Sequence, residues 1–399
     1  MKQLAKKILD RGRDKHLKTS SKLSKLLSKT LKSKKYLFFF KLLKFILYFL
    51  LLIICFFFVF FMARTLINFS EIKNNVKLGQ QIYLTSPKDV PVERTIDIVM
   101  GADDGYIHHS AATMASILLN CDTSSNFRFH ILDGGISSDK KQKLLKLKQI
   151  RNFDIRFYDM TKYDWSMFPD NRAHITLAAY YRLGIPEVLP KNIEKALYLD
   201  GDTIVEQDLK ELWDTDISNY MLGATEDVEG IDSRIRLDLP DKYFNSGVLL
   251  LNLNKLRETN LLEDSLSYLE KNKEKIIYQD QDILNGLFNK QYKDLSLKWN
   301  VNSHMYFQSK ERHTYTDNDA KKARTNPGIV HFTGDMVKPW NQNKMIHPLA
   351  DEYWKYYRYT DFYSPDQRKS PIFQLILMHI VITKHALIGI LKELKGSND

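Results

Sequence analysis

From residue 95 onward, short continuous apolar runs alternate with stretches of helical spacing. Thr95–Ala102 (TIDIVMGA) is a β-rich run that stops at Asp103-Asp104-Gly105, and Ser110–Leu119 has helical spacing. Phe127–Leu132 reads as a second strand. Ser138–Ile150 reads as a basic amphipathic helix capped by Ser137 or Ser138, and Ile155–Tyr158 as a third strand. Thr176–Leu183 is helical, and Ala196–Leu199 is a short strand ending at Asp200. Further on, Gly247–Leu253 (GVLLLNL) is a buried strand and Asp282–Phe288 a helix. Ile329–Phe332 is a short strand before Thr333-Gly334-Asp335.

Strands alternating with helices predict an α/β fold with a largely parallel sheet. In such sheets ligands bind beyond the carboxyl ends of the strands. Asp103-Asp104 and Asp200-Gly201-Asp202 both fall at such ends, where a metal and a diphosphate could meet. No internal repeat is evident.

The N-terminal pattern is different. Phe45–Ala63 is an unbroken apolar run of 19 residues. At about 1.5 Å per residue it approaches the thickness of a bilayer's hydrocarbon core. It is too long for a signal peptide, follows a long basic preamble and lacks a small-residue cleavage site. A single transmembrane helix over 45–63 is therefore expected. In front of it, Leu23, Leu26, Leu27 and Leu31 recur at helical spacing among Lys22, Lys25, Lys29 and Lys32. Residues 1–44 are thus either an amphipathic helix on an anionic leaflet or a disordered polybasic arm. Residues 64–94 read as a stem, 95–340 as the catalytic domain and 341–399 as a helical tail. Within that tail, Ile372–Leu391 is either an interfacial helix or one that closes the core.

Charge and cysteine content narrow the classes. The 399 residues carry a net charge of +11. Residues 1–44 hold 15 Lys/Arg against two Asp/Glu, a net +13, which leaves −2 for the remainder. The basicity belongs to the tail, which argues against nucleic acid as a partner. The two cysteines, Cys55 in the apolar run and Cys121, exclude a disulfide framework, and no Cys/His cluster suggests zinc.

Four constellations could carry chemistry. In Leu197-Tyr198-Leu199-Asp200-Gly201-Asp202-Thr203-Ile204-Val205, the carboxylates lie between two apolar segments, at a rigid sheet edge. There they could turn toward Mg²⁺ or Mn²⁺, or form a solvated turn. In His331-Phe332-Thr333-Gly334-Asp335 and Lys338-Pro339-Trp340, glycine admits backbone amides close to phosphate and lysine supplies a point charge. In Tyr278-Gln279-Asp280-Gln281-Asp282, polar groups precede a helix, as site residues or as N-caps. Phe244-Asn245-Ser246-Gly247 is a polar turn feeding a buried strand.

In this order, DIVMGADDGY, HITLAAYYRL, LYLDGDTIV, FNSGVLLLNL, YQDQDILNGLF and HFTGDMVKPW resemble the family 8 glycosyltransferases. The resemblance covers about residues 95–340. The bacterial galactosyl- and glucosyltransferases of lipopolysaccharide assembly look closest. It implies a GT-A-type, Rossmann-like fold and retaining transfer of a hexose from a UDP-sugar to a glycan or glycolipid, with Mn²⁺ or Mg²⁺. By position, Asp200, Asp202 and His331 match metal ligands. Ala102, Asp103, Tyr106, Gly201, Gly334 and Lys338 match nucleotide and diphosphate contacts. Arg182, Asn245, Asp280 and Gln281 match residues around the transferred sugar, and His174 falls near the acceptor. Gly105 departs from the asparagine that related enzymes often carry. A catalytically inactive, tethered sugar-binding relative is the alternative; it predicts a lost metal ligand, yet all three are present.

The positive-inside tendency places residues 1–44 in the cytoplasm and a catalytic body beyond a simple span outside it. UDP-sugars are cytosolic in bacteria and imported into the Golgi lumen in eukaryotes. The bacterial look of the motifs favours the bacterial cytoplasmic membrane over the Golgi, with lipid as a partner of the anchor.

Overall fold

The structure is a computed structural model. It describes residues 94–169, 177–228, 230–307, 313–341 and 347–368, with scattered positions between 38 and 63. The chain divides into two units, Met1–Asn68 and Phe69–Asp399. In the first, no helix among the described residues is long and apolar enough to cross a membrane. This overturns the single-pass anchor and the membrane localisation expected from residues 45–63, and leaves the expected lipid partner without support. The run has the composition of a span. Spanning also requires about 20 residues in one unbroken helix, so that every backbone group is satisfied in hydrocarbon. The stem (64–94) apart from Arg94, which opens the first strand, most of residues 1–44 and the apolar stretch 372–391 lie outside the described residues.

The second unit is built on a seven-stranded sheet of order β3-β2-β1-β4-β7-β6-β8. These strands are β1 (Arg94–Asp103), β2 (Ser125–Gly134), β3 (Asp154–Asp159), β4 (Lys195–Leu199), β6 (Leu222–Ala224), β7 (Val248–Asn252) and β8 (Tyr292–Asp294). β1 pairs in parallel with β2 and β4, as does β2 with β3 and β6 with β8. β7 runs antiparallel to β4 and β6. The sheet is mostly parallel, as expected, and its central strands are buried on both faces. Ile96, Ile98, Met100, Leu197, Leu199, Val248 and Leu250 point into one apolar layer, and Val99, Tyr198, Leu249 and Leu251 into the other. Period-2 alternation is invisible in such strands because both faces are apolar.

The first layer is covered by α1 (Ile107–Asn120) and α2 (Ser138–Leu145). It is also covered by α6 (Ala350–Tyr357), whose Tyr353, Trp354, Tyr356 and Tyr357 are buried there. Part of the segment after 340 is therefore core. The second layer is covered by α3 (Leu261–Lys271), α4 (Gln279–Phe288) and a 3-10 helix over Leu177–Gly184. α5 (Asp317–Thr325) starts with a capping box between Thr316 and Asp319.

A second, three-stranded sheet has the order β5-β10-β9, from β5 (Thr203–Val205), β9 (Val301–Asn302) and β10 (Ile329–His331). The antiparallel β5–β10 pairing sets His331 opposite Thr203. A residue 128 positions downstream of Thr203 thereby arrives next to the Asp200–Asp202 turn.

Candidate active site

The site forms where β1 and β4 lie side by side, the point at which the strand order reverses. Three backbone facts assemble it. β4 delivers Asp200 at its carboxyl end. β7, being antiparallel, brings its start to the same end, with Leu199 opposite Val248 and Asp200 N–H donating to Gly247 O at 2.8 Å. Phe332 N–H donates to Asp202 O at 2.9 Å, which holds the end of β10 against the turn.

Asp200, Asp202 and His331 converge, each offering one ligand atom within 4.8 Å of the others. His331 Nε2 lies 3.2 Å from an Asp202 oxygen and 3.7 Å from an Asp200 oxygen. The approach is possible because residue 247 is glycine: a Cβ there would stand 2.1 Å from His331 Cε1 and 2.7 Å from Asp200 Oδ2. Two carboxylate oxygens and one imidazole nitrogen fit a divalent cation that also takes oxygen ligands from phosphates.

Two protein cations balance these carboxylates. The Lys338 ammonium pairs with Asp202 Oδ2. Burial works against charge on Asp202, but Lys338 and His331 outweigh it and hold the carboxyl well below its usual range. Arg182 is buried and serves as a hub. Its NH2 group lies 2.9 Å from Asp200 Oδ1, its Nε 3.0 Å from Asp280 Oδ2, and its NH1 donates to Ser246 O at 2.6 Å. Its guanidinium also sits over the Tyr198 ring, and the Tyr198 hydroxyl donates to Asp200 Oδ1 at 2.9 Å. Burial lowers the pKa of Arg182, but Asp200 and Asp280 more than reverse that and raise it, so the guanidinium stays charged.

Asp280 opens α4. The residue before it, Gln279, is buried with φ at +47°, a left-handed conformation uncommon for a side-chain-bearing residue. Burial pushes the Asp280 carboxyl up to about 6, against the pull of Arg182. The Ser246 hydroxyl donates to it at 3.0 Å. Gln281 Oε1 accepts from Ser246 N at 2.9 Å, and its amide nitrogen reaches Asp227 Oδ2 at 3.3 Å.

Asp200, Asp202, His331, Arg182, Asp280, Gln281, Asn245 and Lys338 therefore form one network. Ala102 and Asp103 end the neighbouring strand β1, and Asp103 accepts the backbone N–H of Tyr106 at 2.8 Å. The Tyr106 ring faces Gly201, where an added Cβ would lie 3.3 Å from it and 2.5 Å from Ser110 Oγ. Gly334, at φ +78°, sits on the exposed loop after β10. His174 lies outside the described residues. Sequence reasoning missed Tyr198, Asp227, Ser246, Gln279 and Asn300. Tyr198, Ser246 and Gln279 were inside motifs already singled out; Asp227 and Asn300 are ordinary polar residues with no local signature.

The sequence profile of the family described as "Glycosyl transferase family 8" matches residues 97–344. General stress protein A of Bacillus subtilis (strain 168) is 32% identical over 276 residues, covering 67% of this chain and 95% of that protein. The lipopolysaccharide 1,2-glucosyltransferase of Escherichia coli (strain K12) is 26% identical over 316 residues, covering 76% and 90%. The crystal structure of galactosyltransferase LgtC in complex with donor and acceptor sugar analogues superposes with a TM-score of 0.60. It is 31% identical and covers 68% of this chain and 98% of that one.

Proposed function

Since the chain belongs to glycosyl transferase family 8, we propose that it is a retaining hexosyltransferase. It moves galactose or glucose from a UDP-sugar to a glycan or glycolipid such as lipopolysaccharide, with Mn²⁺ or Mg²⁺ at Asp200, Asp202 and His331. The observation that carries this reading is the convergence of those three side chains within 4.8 Å, directly beside the Arg182–Asp280 pair. A cation-binding centre and a sugar-positioning centre thus share one wall. The chemistry of the relatives points the same way: the LgtC crystal holds donor and acceptor sugar analogues.

When bound, the divalent ion neutralises charge on the diphosphate as it leaves. The protein does the rest. Lys338 carries the remaining positive charge to the leaving phosphate, where it counts most in the transition state. Tyr106, with Asp103 fixing its backbone, offers a ring to the base. Arg182 holds Asp200 and Asp280 in register, so that the carboxylate at the sugar and the one at the ion cannot drift independently. Asp280 and Gln281 approach from the start of α4. An amide is a poor nucleophile, which favours front-face attack by the acceptor, the departing phosphate taking its proton. Gln281 then positions rather than reacts.

The test is UDP release by the full chain from UDP-galactose and UDP-glucose with an oligosaccharide acceptor, with and without Mn²⁺ or Mg²⁺. The proposal expects metal-dependent release and a lengthened acceptor. Absence of release from every UDP-hexose tried would end it.

A further inference from the structure

From the backbone of Gly247 we infer that Asn300 is a positioning residue that fixes the proton of His331 on Nδ1, leaving Nε2 to face the cation. It does so through a hydrogen-bond chain that also holds the sugar-side residue Asn245. The inference deepens the metal-dependent reading above and rests on it for the role of the cation.

The direction of the chain follows from one group whose polarity cannot be reversed. Gly247 N–H is a backbone donor, and it points at the side chain of Asn245 at 2.9 Å. The Asn245 atom facing it must therefore be the carbonyl oxygen Oδ1. That same oxygen is approached by Asn300 at 2.8 Å, so Asn300 presents its NH₂ there. The other end of the Asn300 amide is then its carbonyl oxygen, and it lies 2.9 Å from His331 Nδ1. An oxygen acceptor requires a proton on Nδ1. With Nδ1 so engaged, Nε2 is the nitrogen that faces Asp202 and Asp200, and the one a cation would take.

The far end of the chain is consistent. With Oδ1 of Asn245 turned to Gly247 and Asn300, its NH₂ faces Asp227 Oδ2 at 2.7 Å, an acceptor. Asp227 in turn accepts from Gln281 Nε2 at 3.3 Å. Asn300, Asn245, Asp227 and His331 are all buried, so each amide has one arrangement that satisfies it and a flipped one that sets like against like. A ligand histidine held through its second nitrogen keeps both its ring orientation and its basicity. Here the holder is a neutral amide rather than a carboxylate. Its other end grips the turn that positions Asn245, so the cation ligand and the sugar-side turn share a single support.

The test begins with the full-length protein, ¹⁵N-labelled at histidine and free of metal, with the His331 signal identified by its loss in His331→Gln. The expected result is that the neutral form of the ring carries its proton on Nδ1 and none on Nε2; a neutral form protonated on Nε2 overturns the inference. This readout needs neither donor sugar nor turnover. A protein that releases no UDP but shows the Nδ1 proton would sink the transferase reading and leave this one standing.

Two variants extend the test. Asn300→Leu should release the tautomer and weaken Mn²⁺ binding by about 10–100-fold, read by the paramagnetic resonance of free Mn²⁺. Asn300→Asp keeps an acceptor for Nδ1 but sets a carboxylate against Asn245 Oδ1. It should hold Mn²⁺ within about threefold of wild type, the Nδ1 acceptor being kept, while KM for the UDP-hexose rises. Folded Asn300→Leu with unaltered Mn²⁺ affinity, or Asn300→Asp as poor in Mn²⁺ binding as Asn300→Leu, would overturn it.

Discussion

Replacing Gly247 with alanine is a one-carbon perturbation with a calculable result. The added Cβ would meet His331 Cε1 at 2.1 Å and Asp200 Oδ2 at 2.7 Å. Carbon atoms in contact rest about 3.5–4.0 Å apart, so the imidazole edge must retreat by roughly 1.5 Å. Metal–ligand distances tolerate only about ±0.2 Å, so the ring cannot retreat that far and remain a ligand. Gly247 is not in the left-handed region, so the cost is steric alone. Overpacking of this kind costs about 1–3 kcal/mol, a few degrees in Tm for a domain of this size. Mn²⁺ affinity should fall by more than about tenfold, a change of about 1.4 kcal/mol.

The matched control is Gly286→Ala. Its Cβ would stand 2.0 Å from Tyr268 Cζ, an equally severe clash between α3 and α4. It should lower Tm comparably and leave Mn²⁺ affinity alone. Thermal melts and Mn²⁺ titration on both proteins decide the matter. If Gly247→Ala melts lower yet binds Mn²⁺ within a factor of two of wild type, or if both variants lose affinity alike, the geometric argument fails.

Other expectations follow from the charges. With the Asp280 carboxyl raised by burial to about 6, kcat/KM should climb through that pH as the group ionises, and Asp280→Asn should flatten the limb. Because this pKa is higher folded than unfolded, its contribution to stability is fullest below about pH 4 and is lost as pH rises through 6. Wild type should therefore lose about 2–3 kcal/mol relative to Asp280→Asn between pH 4 and 7, measured by denaturant melts. Arg182→Lys keeps a charge but not a fork that spans Asp200, Asp280 and Ser246. It should cost about 3–5 kcal/mol in stability and, by steady-state kinetics, most of kcat; a near-wild-type kcat would contradict the hub role. Lys338→Met should raise KM for the UDP-sugar at least about tenfold, the worth of a charge-assisted hydrogen bond; an unchanged KM would remove Lys338 from the diphosphate.

The sequence carried the strands well, because GVLLLNL and LYLDGDTIV are too apolar and too short to be anything else. It also carried the order of the motifs. The direction of β7 was not legible: an apolar run reads the same whether its neighbour is parallel or antiparallel, and the antiparallel pairing is what puts Asn245–Gly247 beside Asp200. Of the small sheet only β10 was read, as Ile329–Phe332, and β5 and β9 were missed for a related reason. β5, β9 and β10 are two or three residues each, below the length at which periodicity speaks, yet they set His331 opposite Thr203. Asn300 had no signal at all, since its role is conferred by partners 31 and 55 residues away. The membrane span failed in the other direction. An apolar run of 19 residues suggested it, and no helix among the described residues is long and apolar enough to cross a membrane.

The aromatic helix α6 gives the chain's last described stretch a bearing on its first long helix, α1. Tyr353 meets His109 Nδ1 at 2.7 Å through its hydroxyl, Trp340 lies flat on the His109 ring at 3.5 Å, and Tyr106 stands edge-on to both. Asn120, at the far end of α1, donates to the Tyr356 hydroxyl at 2.6 Å. The wall beside Tyr106 is thus a buttress of rings whose footing lies some 250 residues downstream. A protein trimmed at the last recognisable motif would keep every candidate ligand, and Trp340, but lose the Tyr353 and Tyr356 masonry behind Tyr106.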